Sequence, residues 1–150
     1  MMSSIFPKGE KASSELFTGT AFVNMLIADQ NALYNTTVYD VLFEASARNN
    51  WHSHPQGQLL LCTSGIGYYQ EKGQHARRLV RGDVVEIPAD AVHWHGAAPD
   101  SDFSHIGITP NISKGAAVWF EPVSDDEYTE ATKQGETPCG CLADFPISVL

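Results

Sequence analysis

Apolar and β-branched residues recur along this chain in short runs that are separated by turn-forming residues. Runs of this kind, rich in Val, Ile, Thr and aromatic residues, predict β-strands. The predicted strands cover residues 21–28, 36–46, 58–71, 82–88, 92–97, 103–109 and 117–120. Many short strands with turns between them predict an all-β sandwich or barrel.

The run at residues 58–71 is interpreted as two strands that join at Ser64-Gly65. Gly65 and Gly67 have a spacing that occurs in phosphate-binding loops, but no helix follows them, so a turn is the better interpretation. Cys62 lies in the apolar part of this run and is predicted to be a small buried residue rather than a nucleophile.

The strand predicted at residues 36–46 is not purely polar on either face. One face carries Tyr39, Val41, Phe43 and Ala45, and the other carries Val38, Asp40, Leu42 and Glu44. A barrel buries only one face of its strands, so a second chain is expected to cover the other. The pattern therefore predicts a homodimer.

The length of 150 residues predicts a single domain, with a barrel core at about residues 16–122. Ser124 precedes three acidic residues, which predicts an N-cap and a short helix at about 124–132. The remaining tail, 133–150, contains Cys139-Gly140-Cys141. A CxC pair alone is weak support for a metal site, so a loosely docked tail is expected.

The composition excludes several partners. A net charge of −9 and a pI near 4.9 argue against binding to nucleic acid or to an anionic membrane, which both need a basic face. No apolar run has the length of a signal peptide or a transmembrane span. Three cysteines do not form a disulfide framework, so the expected location is the cytoplasm. With nucleic acid and membrane excluded, the expected partner is a small molecule.

Five of the six histidines lie in three short polar segments of this β-patterned sequence. His52 and His54 are two residues apart, so on an extended strand they share a face. Pro55 and Gly57 then predict a turn that brings Gln58 back beside them. An isolated HxH pair is equally consistent with surface histidines. The other histidines, His93, His95 and His105, favour a metal site, because neutral imidazole is the commonest metal ligand.

These segments resemble the motifs of the cupin family. Residues 46–65 are similar to the first motif, G(X)5HXH(X)3–4E(X)6G, in which His52, His54 and Gly65 match. Ser46 and Gln58 stand where Gly and Glu are usual.

Residues 82–97 resemble the second cupin motif, G(X)5PXG(X)2H(X)3N. Gly82, Pro88 and His93 match, whereas Asp90 and Ala97 replace Gly and Asn. About 16 residues separate the two motifs, and the resemblance covers roughly residues 16 to 130. It implies a jelly-roll β-barrel with one metal ion inside.

A narrower resemblance is to small bacterial cupins that include manganese-dependent hydroxynitrile lyases and the cupins found beside carboxymuconolactone decarboxylase domains. It is carried by residues 48–58, by His-Trp-His-Gly-Ala at 93–97 and by the later Ser104-His105. The resemblance implies one divalent transition metal, most simply Mn, and a base at His105. The ligands it implies are His52, His54, Gln58 and His93.

The Gln58 amide in place of a carboxylate has chemical consequences. Four neutral ligands leave the full +2 charge on a divalent ion, which makes it a stronger Lewis acid but weakens its retention. The same set disfavours a ferric state, and it tolerates Mn, Fe, Co, Ni or Zn.

Three functions remain open: a metal-dependent lyase, a metal-dependent oxygenase, and a non-catalytic cupin that binds a small anion. For the lyase, His105 or His95 is expected to move a proton with a pKa near its ordinary value. The alternative is that both histidines only make buried hydrogen bonds.

Overall fold

The computed structural model describes residues 5–135 and confirms an all-β fold with one short C-terminal helix. The strands are β1 Glu10–Lys11, β2 Phe17–Thr18, β3 Ala21–Ile27, β4 Thr36–Phe43, β5 Arg48–Asn49, β6 His52–Ser53, β7 Gln58–Glu71, β8 Arg77–Val80, β9 Val84–Ile87, β10 His93–Ala97, β11 Phe103–Pro110 and β12 Val118–Trp119. A short 3-10 turn at Ile112–Lys114 precedes β12, and helix α1 spans Asp125–Gly135.

The strands form two antiparallel sheets that share β7. The first sheet contains β1, β3, β4, β11, β9 and the first half of β7. The second sheet contains β2, β5, β6, β8, β10, β12 and the second half of β7. The continuous strand order β4-β11-β7-β10-β5 carries the fold from one sheet into the other.

The prediction of two strands that join at Ser64-Gly65 is wrong, because β7 is one strand of 14 residues. Gly65 has a φ of +74°, and a Cβ there would collide with the carbonyl of Asp102. A glycine at this position therefore lets the strand bend between the sheets without an interruption. Gly65, which suggested a turn, marks a bend within one continuous strand.

Two apolar clusters hold the fold together. The inner faces of both sheets contribute the first cluster, which includes Phe43, Leu60 and Phe103. The second cluster lies on the outer face of the second sheet, where α1 covers Tyr68 and Trp94. Burial of aromatic rings on this scale supplies much of the stability of a small domain.

Helix α1 begins with a reciprocal cap. The Ser124 hydroxyl accepts a hydrogen bond from the Glu127 amide at 3.0 Å, and the Glu127 carboxylate accepts one from the Ser124 amide at 2.9 Å. This capping box satisfies two amides that would otherwise lack partners. The predicted N-cap is thus confirmed, although the helix extends to Gly135 rather than to residue 132.

Two departures from the cupin motifs occur at positions with left-handed backbone. Ser46 and Asp90, which stand where the motifs have Gly, have φ values of +72° and +65°. The chain therefore keeps the backbone conformation that glycine favours, at a local conformational cost.

Cys62 is buried, and burial raises the pKa of its thiol to about 12. Its thiol is therefore protonated and unreactive, as the sequence predicted. Cys139 and Cys141 lie outside the described residues. Within residues 5–135, no helix has the length and apolar character needed to span a membrane.

Candidate metal centre

Strand pairing places the first two histidines side by side on the inner face of the second sheet. His52 on β6 is directly opposite His93 on β10, so their side chains share a face, and their ring centroids are 4.2 Å apart. His54 follows β6, and its ring centroid is 5.2 Å from that of His52 and 5.8 Å from that of His93.

A turn after His54 returns the chain to the same place. The His54 carbonyl accepts hydrogen bonds from the amides of Gly57 at 3.1 Å and Asp90 at 2.8 Å, which fixes this turn against the loop that leads to β10. Gln58 then begins β7, and its side-chain oxygen lies 3.3 Å from His93 Nε2. The predicted return of Gln58 to the histidines is therefore seen in the structure.

Backbone carbonyls fix the tautomers of two of these rings. His52 Nδ1 is 2.8 Å from the Asn50 carbonyl, and His93 Nδ1 is 2.9 Å from the Ala91 carbonyl. A carbonyl only accepts, so each Nδ1 carries the proton and donates it. In a neutral imidazole, Nε2 is then left with a lone pair, which is the usual arrangement behind a metal-binding histidine.

Two of the acceptor atoms meet in a buried space. His93 Nε2 and the Gln58 oxygen are both acceptors, yet they lie only 3.3 Å apart. His54 Nε2 is buried and has no hydrogen-bond partner among the described residues. The close approach of His93 Nε2 and the Gln58 oxygen suits a shared cation. The donor set therefore fits a divalent metal ion.

A second grouping of donors overlaps the first. Ring nitrogens of His52, His93 and His95 lie within 4.8 Å of one another, and all three residues are buried. This three-histidine cluster contains two of the predicted ligands and one predicted catalytic residue. His95 thus borders the candidate metal centre directly.

Burial keeps the candidate ligands neutral. It lowers the pKa of His93 to about 4 and that of His54 to about 4, the latter partly opposed by the Gln58 side chain. The pKa of His52 is also lowered, by burial and by the neighbouring His93. A neutral imidazole is the form that binds metal, so the site is ready to accept an ion at neutral pH.

His95 and His105 form a buried pair beside this centre. His105 Nε2 lies 3.2 Å from His95 Nδ1, although the two residues are on strands of different sheets. The Asn49 amide nitrogen lies 3.3 Å from His95 Nδ1 and 3.4 Å from Nε2. The Asn49 oxygen accepts a hydrogen bond from the His95 amide at 3.0 Å, so Asn49 holds this ring from two directions.

The expectation that these two histidines keep an ordinary pKa is wrong. Burial lowers the pKa of His105 to about 3, and burial together with His105 lowers that of His95. Both side chains are fully enclosed, so a positive charge on either ring loses its hydration. At neutral pH the pair is therefore uncharged.

The structure also brings in residues that the sequence did not single out. The Gln58 amide nitrogen donates to the Tyr39 hydroxyl, whose pKa is raised by burial, and this hydroxyl lies 2.8 Å from Thr109 Oγ1. The Trp119 ring stacks on His52 at 4.5 Å. Tyr39 shares the inward face of Val41 and Phe43 in the sequence pattern, but only the strand pairing shows which polar group it meets.

A curled antiparallel barrel that encloses a buried histidine cluster defines the class of this protein. The family model of the Cupin domain (Cupin_2) matches residues 39–106, which contain all six predicted site residues. The chain is 38% identical over 119 residues to the (R)-mandelonitrile lyase of Granulicella tundricola, which covers 79% of this chain and 89% of that protein. The chain therefore belongs to the cupin superfamily.

Solved structures agree with this assignment. A cupin-like protein from Thermotoga maritima has 53% identity and a TM-score of 0.86, and the match covers 87% of this chain and 98% of that one. The polyketide cyclase RemF from Streptomyces resistomycificus matches with a TM-score of 0.59 at 13% identity, over 85% of this chain and 91% of the other. This second similarity shows the fold alone.

Proposed function

We propose that this cupin is a metal-dependent lyase that breaks or forms a C–C bond next to an alcohol carbon of cyanohydrin type. One observation carries the proposal: a cluster of neutral metal donors lies directly beside a buried, uncharged histidine pair. The first group suits a cation and the second can move a proton. The similarity to an (R)-mandelonitrile lyase supports the same reaction class.

The proposed ligands are His52, His54, Gln58 and His93. Backbone carbonyls hold Nδ1 of His52 and His93, which leaves Nε2 of each ring for a cation. The Gln58 oxygen lies 3.3 Å from His93 Nε2, and His54 Nε2 has no hydrogen-bond partner among the described residues. His95 also belongs to the three-histidine cluster, and we assign it to the pair with His105, whose Nε2 lies 3.2 Å from His95 Nδ1. A bound divalent ion, most simply Mn²⁺, would supply a Lewis acid that stabilises negative charge on the substrate oxygen.

The proposed base is His105. The Asn49 amide nitrogen lies about equally far from the two ring nitrogens of His95, at 3.3 Å and 3.4 Å, and does not select one of them. We assign the His95 lone pair to Nδ1 from its contact with His105 Nε2 at 3.2 Å. His105 Nε2 then donates to His95, and the lone pair of His105 is on Nδ1. This atom has no hydrogen-bond partner in the described part of the chain. It is therefore available to accept a proton.

The reaction balances with this assignment. His105 takes the proton of the substrate hydroxyl, the oxygen electrons form the carbonyl, and the C–C bond electrons leave with the departing anion. Because burial lowers the pKa of His105, its protonated form gives up the proton readily. It returns the proton to the departing anion, and no oxidant is needed.

The test is an anaerobic screen of cyanohydrins, with racemic mandelonitrile first, that follows release of the aldehyde and cyanide. Metal-loaded protein should be active and chelator-treated protein inactive, and added Mn²⁺ should restore the activity. An activity that appears only with oxygen would show that the proposed lyase reaction is wrong and would favour an oxygenase.

The outer face of the first sheet supports a second proposal, that the chain is a homodimer. Half-exposed apolar side chains cross this face on three adjacent strands, namely Val38 and Leu42 on β4, Ile106 and Ile108 on β11, and Leu59 and Leu61 on β7. No helix covers this face in the described residues, whereas α1 covers the second sheet. This largely apolar face, which also carries Asp40 between Val38 and Leu42 on β4, suits a second copy about a two-fold axis.

Light scattering at micromolar concentration should therefore give twice the mass of one chain. Ile108→Lys should yield monomers, because it places a charge in the proposed interface. Val118→Lys, at an equally apolar but separate exposed position, is the control and should remain dimeric. A monomeric parent protein would contradict the proposal.

A further inference from the structure

Gln58 has a side chain with two chemically different ends. Its oxygen can bind a cation, whereas its nitrogen only donates hydrogen bonds and would repel a cation. The orientation of the amide therefore decides whether Gln58 is a ligand at all. In the structure the oxygen is the end that faces His93, at 3.3 Å from Nε2, and the nitrogen faces Tyr39.

A chain of hydrogen bonds supports this orientation. The Gln58 amide nitrogen donates to the Tyr39 hydroxyl, so the hydroxyl is used there as an acceptor. Its proton can then go to Thr109 Oγ1, 2.8 Å away, in a contact where either hydroxyl can be the donor. If the amide were reversed, the Gln58 nitrogen would donate to the lone pair of His93 and block it for a cation. Tyr39 would then donate to the Gln58 oxygen and accept from Thr109.

The fold also provides a specific place for the Tyr39 ring. Tyr39 on β4 lies opposite Gly107 on β11, and a Cβ at Gly107 would collide with the Tyr39 ring. The absence of a side chain at Gly107 lets the ring lie flat across the sheet, with its hydroxyl between β7 and the end of β11. Tyr39 is thus held by packing at one end and by two hydrogen bonds at the other.

The geometry points to Tyr39, supported by Thr109, as a positioning residue that directs the Gln58 oxygen towards the metal. This inference rests on the proposed function, in which Gln58 is a ligand. Because an amide replaces the Glu of the cupin motif, its nitrogen needs a hydrogen-bond acceptor, which the Tyr39 hydroxyl provides. A carboxylate has oxygen at both ends, so its orientation does not need to be fixed.

The experiment measures the dissociation constant of Mn²⁺ from the electron paramagnetic resonance signal of the free aqueous ion. Tyr39→Phe should weaken Mn²⁺ binding about 10- to 100-fold, as is typical for residues that orient a metal ligand. In a Gln58→Glu background, Tyr39→Phe should weaken Mn²⁺ binding by about threefold or less, because a carboxylate presents an oxygen in either orientation. An equal loss in both backgrounds would overturn the inference.

Further variants separate positioning from stability. Tyr128→Phe is the matched control, because it removes another tyrosine hydroxyl that makes a hydrogen bond, to the Ala97 carbonyl at 2.6 Å beneath α1. It should lower thermal stability and leave Mn²⁺ affinity unchanged. Thr109→Val should weaken Mn²⁺ binding, because it removes the hydroxyl that can accept the Tyr39 proton, and this proton can then turn towards Gln58. Thr109→Ser keeps a hydroxyl at this position and should keep the affinity of the parent protein.

Gln58→Ala distinguishes the two ways in which the inference can fail. If Gln58→Ala leaves Mn²⁺ affinity unchanged, Gln58 is not a ligand, and that part of the proposed function fails first. If Gln58→Ala weakens binding but Tyr39→Phe does not, the ligand stands and the positioning role of Tyr39 is wrong.

Discussion

The candidate metal centre and the His95–His105 pair use the same side chain in opposite ways. In the metal centre, backbone carbonyls hold Nδ1 of His52 and His93, and this leaves acceptor atoms pointed at one another. In the pair, the two imidazoles are hydrogen-bonded to each other instead. In the proposed assignment, the partner of the second ring nitrogen, rather than burial or pKa, separates a candidate ligand from a candidate base.

The largest effect is expected from the metal side of this comparison. His52→Ala or His93→Ala removes one of four proposed ligands and should abolish both bound metal and activity, since such a loss is rarely compensated. Metal content by mass spectrometry of the purified protein should fall from about one ion per chain to near zero. Unchanged metal content in both variants would contradict the site.

A smaller effect is expected from the histidine pair. His105→Ala should reduce turnover by about 10²- to 10⁴-fold, the usual contribution of a general base, with bound metal unchanged. The exposed His75 provides the control, because His75→Ala should change neither quantity. Turnover of His105→Ala within a factor of about three of the parent would show that His105 is not the base.

The smallest effect is expected where only the charge of a ligand changes. Gln58→Glu should retain or tighten metal, because a carboxylate adds Coulomb attraction, and it should lower turnover by about tenfold through a weaker Lewis acid. The comparison of metal affinity with turnover in one variant checks both parts. Weaker metal binding together with faster turnover would contradict the role given to the neutral amide.

Local sequence patterns predicted the fold well because strand alternation and turn residues are local signals. The spacing of His52 and His54, and that of His93 and His95, placed each pair on one face without knowledge of the strand pairing. The bend at Gly65 was misjudged because a glycine with positive φ occurs both in turns and in continuous strands.

The less predictable parts of the site depend on long-range pairing. Tyr39 and Thr109 are 70 residues apart, so their hydrogen bond cannot be deduced from either segment alone. The pKa of His105 was also misjudged, because it depends on complete enclosure by both sheets rather than on neighbouring residues.

The shared strand β7 has a consequence for how the molecule opens. Gln58 and His105 are held by the first sheet, and His52, His93 and His95 by the second. Because one backbone belongs to both sheets, neither can fray without straining the other, and the two should behave as a single cooperative unit in hydrogen exchange. Amides of β7 on either side of Gly65 should therefore exchange through the same global opening event. We therefore expect the histidines of both sheets to lose their protected arrangement together.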